Sequence, residues 1–320
     1  MQLPLRRLLL IIGLCVASTW TAEGQSTPGV QDGVALMQQG RLEEARAIFQ
    51  SVLQRDPQNQ QAQDQAVAAT ERLALEQRAG NHTVDALQEL MDGQKLVPSS
   101  ARLAYDIGIL EDEMQLYPEA ARALETAKQL HMDDPMLLYA MARVQMDAGQ
   151  LETAAQTMQQ YLQVRPGDAS AHFGLGRIYQ IGMKFDKAVP EFQESIRLQP
   201  VQSEAWYQLG DIALKQHEFD EALTDFNHTL ERNPRHGGAL AGSGECLFRE
   251  KRYEKALKFL DRAIAAAPDY QTGHYYRGLT LARLGRKEES EKELATATAL
   301  ADAENKKSAT RYQLTVTGQP

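Results

Sequence analysis

The sequence predicts an all-α solenoid of about eight helix-turn-helix units, and three interlocking series of residues carry that prediction. Ala74, Gly108, Ala142, Gly176, Gly210, Gly244 and Gly278 stand 34 residues apart. Twelve residues after each come Ala86, Ala120, Ala154, Ala188, Ala222, Ala256 and Ser290, and twelve further on Pro98, Met132, Pro166, Pro200, Pro234 and Pro268. A period in this range marks stacked supersecondary units, each covering the apolar face that its neighbour cannot bury alone. The first small slot belongs to the first helix of a unit and the second to its second helix, where the lack of bulk lets two antiparallel helices approach. The proline then stops the second helix by removing an amide donor.

The first unit covers residues 26–59, where Gly33, Ala45, Phe49 and Pro57 repeat the spacing. Residues 60–66, all Gln, Ala or Asp, break the register. They either form a loop or lengthen the next helix by about two turns, and the longer helix is the favoured reading. Seven contiguous units follow without a slip over 67–304, read here as part of one extended domain. In the unit from Val67 to Ser100, Thr70 and Thr83 occupy slots expected to be apolar, which makes it the softest. Pro118 falls at the start of a second helix, where its missing N–H is harmless. Asp133, Asp134 and Pro135 supply the stop that Met132 does not. Pro190 lies deeper in its helix and predicts a late start or a small kink. Phe192, Phe226 and either Phe259 or Leu260 fill the space between units. Residues 305–320 predict the end of a polar capping helix, carrying Lys306, Lys307 and Arg311, and then a disordered tail from Thr315.

The skeleton is fullest at Trp206, Leu209, Gly210, Ala213, Phe219, Ala222, Phe226 and Pro234, which resembles the tetratricopeptide repeat family. Its pattern runs W-x2-L-G-x2-Y, then A-x3-F, then P, and the resemblance extends from Ser26 to Glu304. It implies a right-handed superhelix whose first helices line a concave groove, with positions 5, 9, 12 and 13 of each unit facing the interior. Position 5 reads Glu71, Tyr105, Tyr139, Phe173, Tyr207, Ala241 and Tyr275. Such aromatic rungs present apolar area with little rotamer entropy and suit a peptide or a glycan; they serve equally to pack neighbouring first helices.

Position 13 reads Ala79, Glu113, Asp147, Ile181, Lys215, Arg249 and Arg283, so the expected groove is acidic at one end and basic at the other. Asp112 strengthens the acidic end, and Arg143 and Arg177 at position 9 place donors in the middle. Charges of this kind orient an extended ligand and speed its encounter. A lysine at position 5 with asparagines at 6 and 9, which in this family grips a terminal carboxylate, is missing here.

Ahead of the repeats, Arg6 and Arg7 precede an apolar run from Leu8 to Ala17, and Ala22 and Gly24 are small residues suited to cleavage before Gln25. Residues 1–24 therefore predict a secretory signal peptide, the run being short of the roughly 20 residues a membrane-spanning helix needs. Its loss leaves 32 basic and 42 acidic residues, a net charge of −10, which disfavours nucleic acid as a partner. Cys246 then stands alone, and is expected to be a small buried apolar residue.

Chemistry-bearing constellations are lacking. No two of the seven histidines sit at the i, i+4 spacing of a helical metal site, and no HExxH, CxxC, GxSxG or phosphate-loop motif occurs. Gly174 and Gly176 fall within a repeat's first helix and read as packing. The expectation is a non-enzymatic protein with no cofactor and no metal, exported to the periplasm or cell envelope, or secreted. It is read as a scaffold holding an extended segment of an envelope or secreted partner in the groove. The alternatives are an accessory to polysaccharide synthesis or export, with the ladder on a glycan, and a structural role through self-association.

Overall fold

The computed structural model describes residues 28–317, with side chains through residue 307, as sixteen α-helices and no strands among the described residues. The expected signal peptide, residues 1–24, lies outside the described residues. The chain divides into two compact units, 1–98 and 99–320. That division falls inside the unbroken 34-residue register, at the end of the unit marked by Thr70 and Thr83, where a single extended domain was expected.

The first unit contains α1 (Val30–Gln38), α2 (Leu42–Arg55), α3 (Gln60–Ala79) and α4 (Thr83–Leu96). Residues 60–66 form the first two turns of α3, a 20-residue helix capped by Asn59, whose side chain accepts from the amide of Ala62 at 3.0 Å. Phe49 is fully buried among Leu42, Ala45, Ala62, Ala66 and Leu73. Thr70 is also fully buried; its hydroxyl donates to the carbonyl of Ala66 at 2.9 Å, which satisfies the polar group within its own helix. Its methyl group fits against Gly93 of α4, where any Cβ would collide with it.

The second unit alternates first and second helices of each repeat: α5 (Ala101–Glu113), α6 (Tyr117–Gln129), α7 (Pro135–Asp147), α8 (Leu151–Val164), α9 (Ala169–Ile181), α10 (Phe185–Leu198), α11 (Glu204–Lys215), α12 (Phe219–Arg232), α13 (Gly237–Arg249), α14 (Tyr253–Ala266), α15 (Gln271–Arg283) and α16 (Lys287–Thr317). Ser100, Asp134 and Asp168 cap α5, α7 and α9 by accepting amide hydrogens of the first turn. The turn between paired helices places Gln115, Gly149, Met183, His217, Lys251 and Gly285, 34 residues apart, at φ from 57° to 77°. The left-handed turn is thus part of the repeat, although glycine occupies it in only some units.

The small slots act as expected. A Cβ on Gly210 would lie 2.7 Å from the ring of Phe226, and one on Gly176 would lie 2.8 Å from that of Phe192. Phe226 also presses on Gly242 of the following unit, so it fills both its own helix pair and the junction with the next. Leu260, not Phe259, is the fully buried member of its pair. Cys246 is fully buried in α13, and burial pushes its thiol up to about 12.

Two local expectations need correction. Of the late start or small kink expected at Pro190, the late start does not occur: helix α10 starts at Phe185 and carries Pro190 inside it, which leaves the carbonyl of Asp186 without its intrahelical donor. Helix α16 runs 31 residues to Thr317, so Thr315 to Thr317, assigned to a tail from sequence, are helical. The remainder of that tail, residues 318–320, lies outside the described residues.

Candidate partner-binding groove

The candidate residues all lie in the second unit, on its first helices. Tyr105, Tyr139, Phe173 and Tyr207 come from α5, α7, α9 and α11 and are all half-buried. Each leans on the structure behind it: Tyr139 meets Tyr161 edge-on at 5.4 Å, Phe173 tilts against Phe192 at 5.6 Å, and Tyr207 against Phe226 at 6.0 Å. Packing and exposure are therefore combined in the same rings. Burial raises the phenols of Tyr105, Tyr139 and Tyr207 above their ordinary range, which keeps them neutral donors at physiological pH. The ladder stops at Ala241, which is fully buried in α13, and resumes with Tyr275 on α15, 42% exposed and edge-on to Tyr276 at 5.2 Å.

At that interruption a cavity of about 350 Å³ opens between α11, α13 and α15, lined by Tyr207, Lys215, Arg249, Tyr270 and the bare backbone of Gly238 and Gly242. Glycine leaves room at both places: a Cβ on Gly238 would displace the Tyr207 hydroxyl, 2.8 Å away, and one on Gly242 would lie 2.5 Å from the fully buried Phe226 ring.

The charges are arranged differently from the expected gradient. At the basic end, Lys215 is bound to Asp211 at 2.6 Å, and Arg249 to Glu245 at 3.2 Å and to the Tyr276 hydroxyl at 2.9 Å. Asp211 and Glu245 occupy position 9, one helical turn before the cations at position 13, so the two series carry opposite signs and cancel locally. Reading position 9 through all the units, rather than at Arg143 and Arg177 alone, carries that signal in the sequence. At the acidic end Arg143 of α7 crosses to Asp112 of α5, with Nε 2.8 Å from Oδ2. The other oxygen of Asp112 is buried without a hydrogen-bond partner.

Asp147 lies beside this pair, and desolvation together with the charge of Asp112 raises its carboxyl, against the pull of Arg143 and Arg177. Glu113 is exposed. Arg177 and Arg283 make no hydrogen bond or ion pair among the described residues, the first half-buried in the middle of the series and the second exposed at the end of α15. The structure thus gathers Asp112, Arg143, Asp147 and Arg177 into one neighbourhood and Tyr207, Lys215 and Arg249 into another. Tyr275 and Arg283 stand outside both.

Among the described residues no cluster of three His, Cys, Asp or Glu side chains is placed to hold a metal ion, and no helix is long and apolar enough to cross a membrane. A family model described as tetratricopeptide repeat matches residues 33–60, 139–182, 183–227 and 207–271, together half of the chain. A tetratricopeptide repeat protein of Parabacteroides merdae superimposes with a TM-score of 0.61 at 16% identity, over 74% of this chain and 93% of that one. The C-terminal part of a repeat-containing protein of Cytophaga hutchinsonii gives 0.57 at 16% identity, over 72% and 94%. MamA of Desulfovibrio magneticus gives 0.50 at 18% identity, over 53% and 97%. At these identities the likeness is one of fold. No curated protein sequence matches the chain.

Proposed function

Since the chain belongs to the tetratricopeptide repeat family, we propose that it is a non-enzymatic scaffold that holds an extended segment of a partner protein along the first helices of its second unit. The observation that carries this reading is the run of half-buried rings from Tyr105 to Tyr207, each anchored from behind and each leaving part of its surface uncovered. Anchored rings lose little entropy on binding, and a hydroxyl at the tip of three of them adds directional donors. Arg177, which makes no hydrogen bond or ion pair in the middle of the run, is the natural contact for a carboxylate of the bound segment. The apolar N-terminal segment after Arg6 and Arg7 supports an exported protein, in the periplasm or envelope, with an envelope or secreted partner.

The test is capture from an envelope extract on the immobilised chain, on the Tyr139→Ala, Phe173→Ala, Tyr207→Ala variant, and on Arg177→Glu, with helicity checked by circular dichroism. Arg177 bears no hydrogen bond or ion pair but lies near Asp147 and Glu204, so the helicity check applies to its reversal as well. The reading expects one or a few proteins to be lost from both variants. Equal recovery on wild type and Arg177→Glu, with a folded triple variant also unchanged, would return the rings to packing alone.

A further inference from the structure

One pair of register positions, on the first and second helices of the same repeat and 19 residues apart, is filled in three chemically different ways across the four repeats from α9 to α16. In two repeats it is a histidine and a glutamate: His172 Nδ1 is 2.7 Å from Glu191, and His274 Nδ1 is 2.7 Å from Glu293. Arg277 also reaches Glu293, at 2.6 Å. In the repeat of α13 and α14 the positions hold Leu240 and Phe259, an apolar pair. Between them, in the repeat of α11 and α12, stand Trp206 and Asp225. Trp206 Nε1 is buried without a hydrogen-bond partner, its ring packs on His228 at 4.4 Å with the Arg232 guanidinium 5.8 Å away, and Asp225, only 8% exposed, has no hydrogen bond or ion pair from its carboxylate.

Burying a carboxylate without a bonded partner is costly; only His228 favours the charge of Asp225 from nearby, and the missing bond coincides with an opening. A cavity of about 280 Å³ lies between α10 and α12, with Val189, Ile196 and Trp206 among its apolar walls and Asp225, Glu221 and Glu218 along its acidic side. Neither of those glutamates forms an ion pair among the described residues. Arg197 also borders the cavity but is committed to Glu194 through two bonds, at 2.6 and 2.7 Å. This cavity is separate from the groove. Helix α11 turns Trp206, Leu209, Ala213 and Gln216 toward it and Tyr207, Asp211 and Leu214 toward the other cavity, and at about 100° per residue those sets occupy opposite faces.

We infer that this cavity receives an arginine side chain of a partner protein, its stem along Val189 and Ile196 and its guanidinium between the Trp206 ring and Asp225. Arginine matches because it combines an apolar stem, a planar cation that stacks on aromatic rings and a fork that binds a carboxylate through two hydrogens. The partner's guanidinium replaces the ring-nitrogen partner that His172 and His274 provide in their own repeats. This inference does not depend on the groove, and either reading survives the failure of the other.

Only Trp20 and Trp206 are tryptophans, so a full-length chain carrying Trp20→Phe has a single indole, giving one indole N–H signal in a ¹⁵N spectrum. Titrating it with N-acetylarginine amide is expected to move that signal saturably, with a Kd of about 1–10 mM for so small a probe. The neutral isostere N-acetylcitrulline amide is expected to bind at least about tenfold more weakly, and Asp225→Asn to lose arginine affinity by at least about tenfold. An indole signal that does not move with arginine, arginine and citrulline that bind alike, or unchanged arginine affinity in Asp225→Asn would each overturn the inference.

Discussion

Glu111 shows how a single residue is set by what surrounds it. It lies on α5, 8% exposed, with one carboxylate oxygen buried and unpartnered, and burial with the nearby charge of Glu119 pushes it up to about 7. A carboxyl whose folded value exceeds its unfolded one favours the fold when protonated. Its contribution is complete below about pH 4 and is lost as pH rises through about 7. Glu111→Gln is therefore expected to raise stability at pH 8 by about 1–3 kcal/mol and to change it little at pH 4, measured by urea denaturation at both. An equal effect at both values would assign Glu111 an ordinary carboxyl. Nothing in the sequence distinguishes Glu111 from its neighbours Asp112 and Glu113, one buried against Arg143 and the other exposed. Three consecutive acids face three environments because each residue turns about 100° around the helix.

At the scale of the helix, the repeat is a pairing rule between a glycine and a large side chain. Gly33 takes Phe49, Gly108 takes Leu124, Gly176 takes Phe192, Gly210 takes Phe226, Gly244 takes Leu260 and Gly278 takes Leu294, always across the same helix pair. Gly210→Ala is expected to cost about 1–3 kcal/mol, since its methyl group would meet a fully buried ring that is also pinned by Gly242. Chemical denaturation measures that loss, and Gly210→Ala combined with Phe226→Leu should recover part of it if the collision is the cause. The glycine slots were legible because steric demands repeat with the backbone. The groove charges were legible only in part: Lys215 and Arg249 are at visible positions, yet Asp211 and Glu245, one turn earlier, neutralise them.

For the molecule as a whole, the division at residue 98 matters more than the count of repeats. Phe49 and Leu73 belong to a core made wholly of residues before that point, and Phe192, Phe226 and Leu260 to cores made wholly of residues after it. Residues 99–320 are accordingly expected to fold alone, with a helical spectrum and cooperative unfolding; an unfolded fragment would show that the first unit completes the second. Stacked repeats draw stability from nearest neighbours, which makes such an autonomous piece physically reasonable.

The sequence by itself determined the helical class, the 34-residue register, the close-packing slots and the position of most helix ends. Each of these follows from sterics, hydrogen bonding and apolar periodicity within a few turns of chain. Tertiary structure alone decided which polar groups are satisfied. His172 and Trp206 occupy the same place in their repeats, as do Glu191 and Asp225, yet one acid meets a ring nitrogen and the other faces an open cavity. That outcome depends on distances of a few ångströms between packed helices, on which a hydrogen bond or ion pair forms or fails, and no local pattern encodes them.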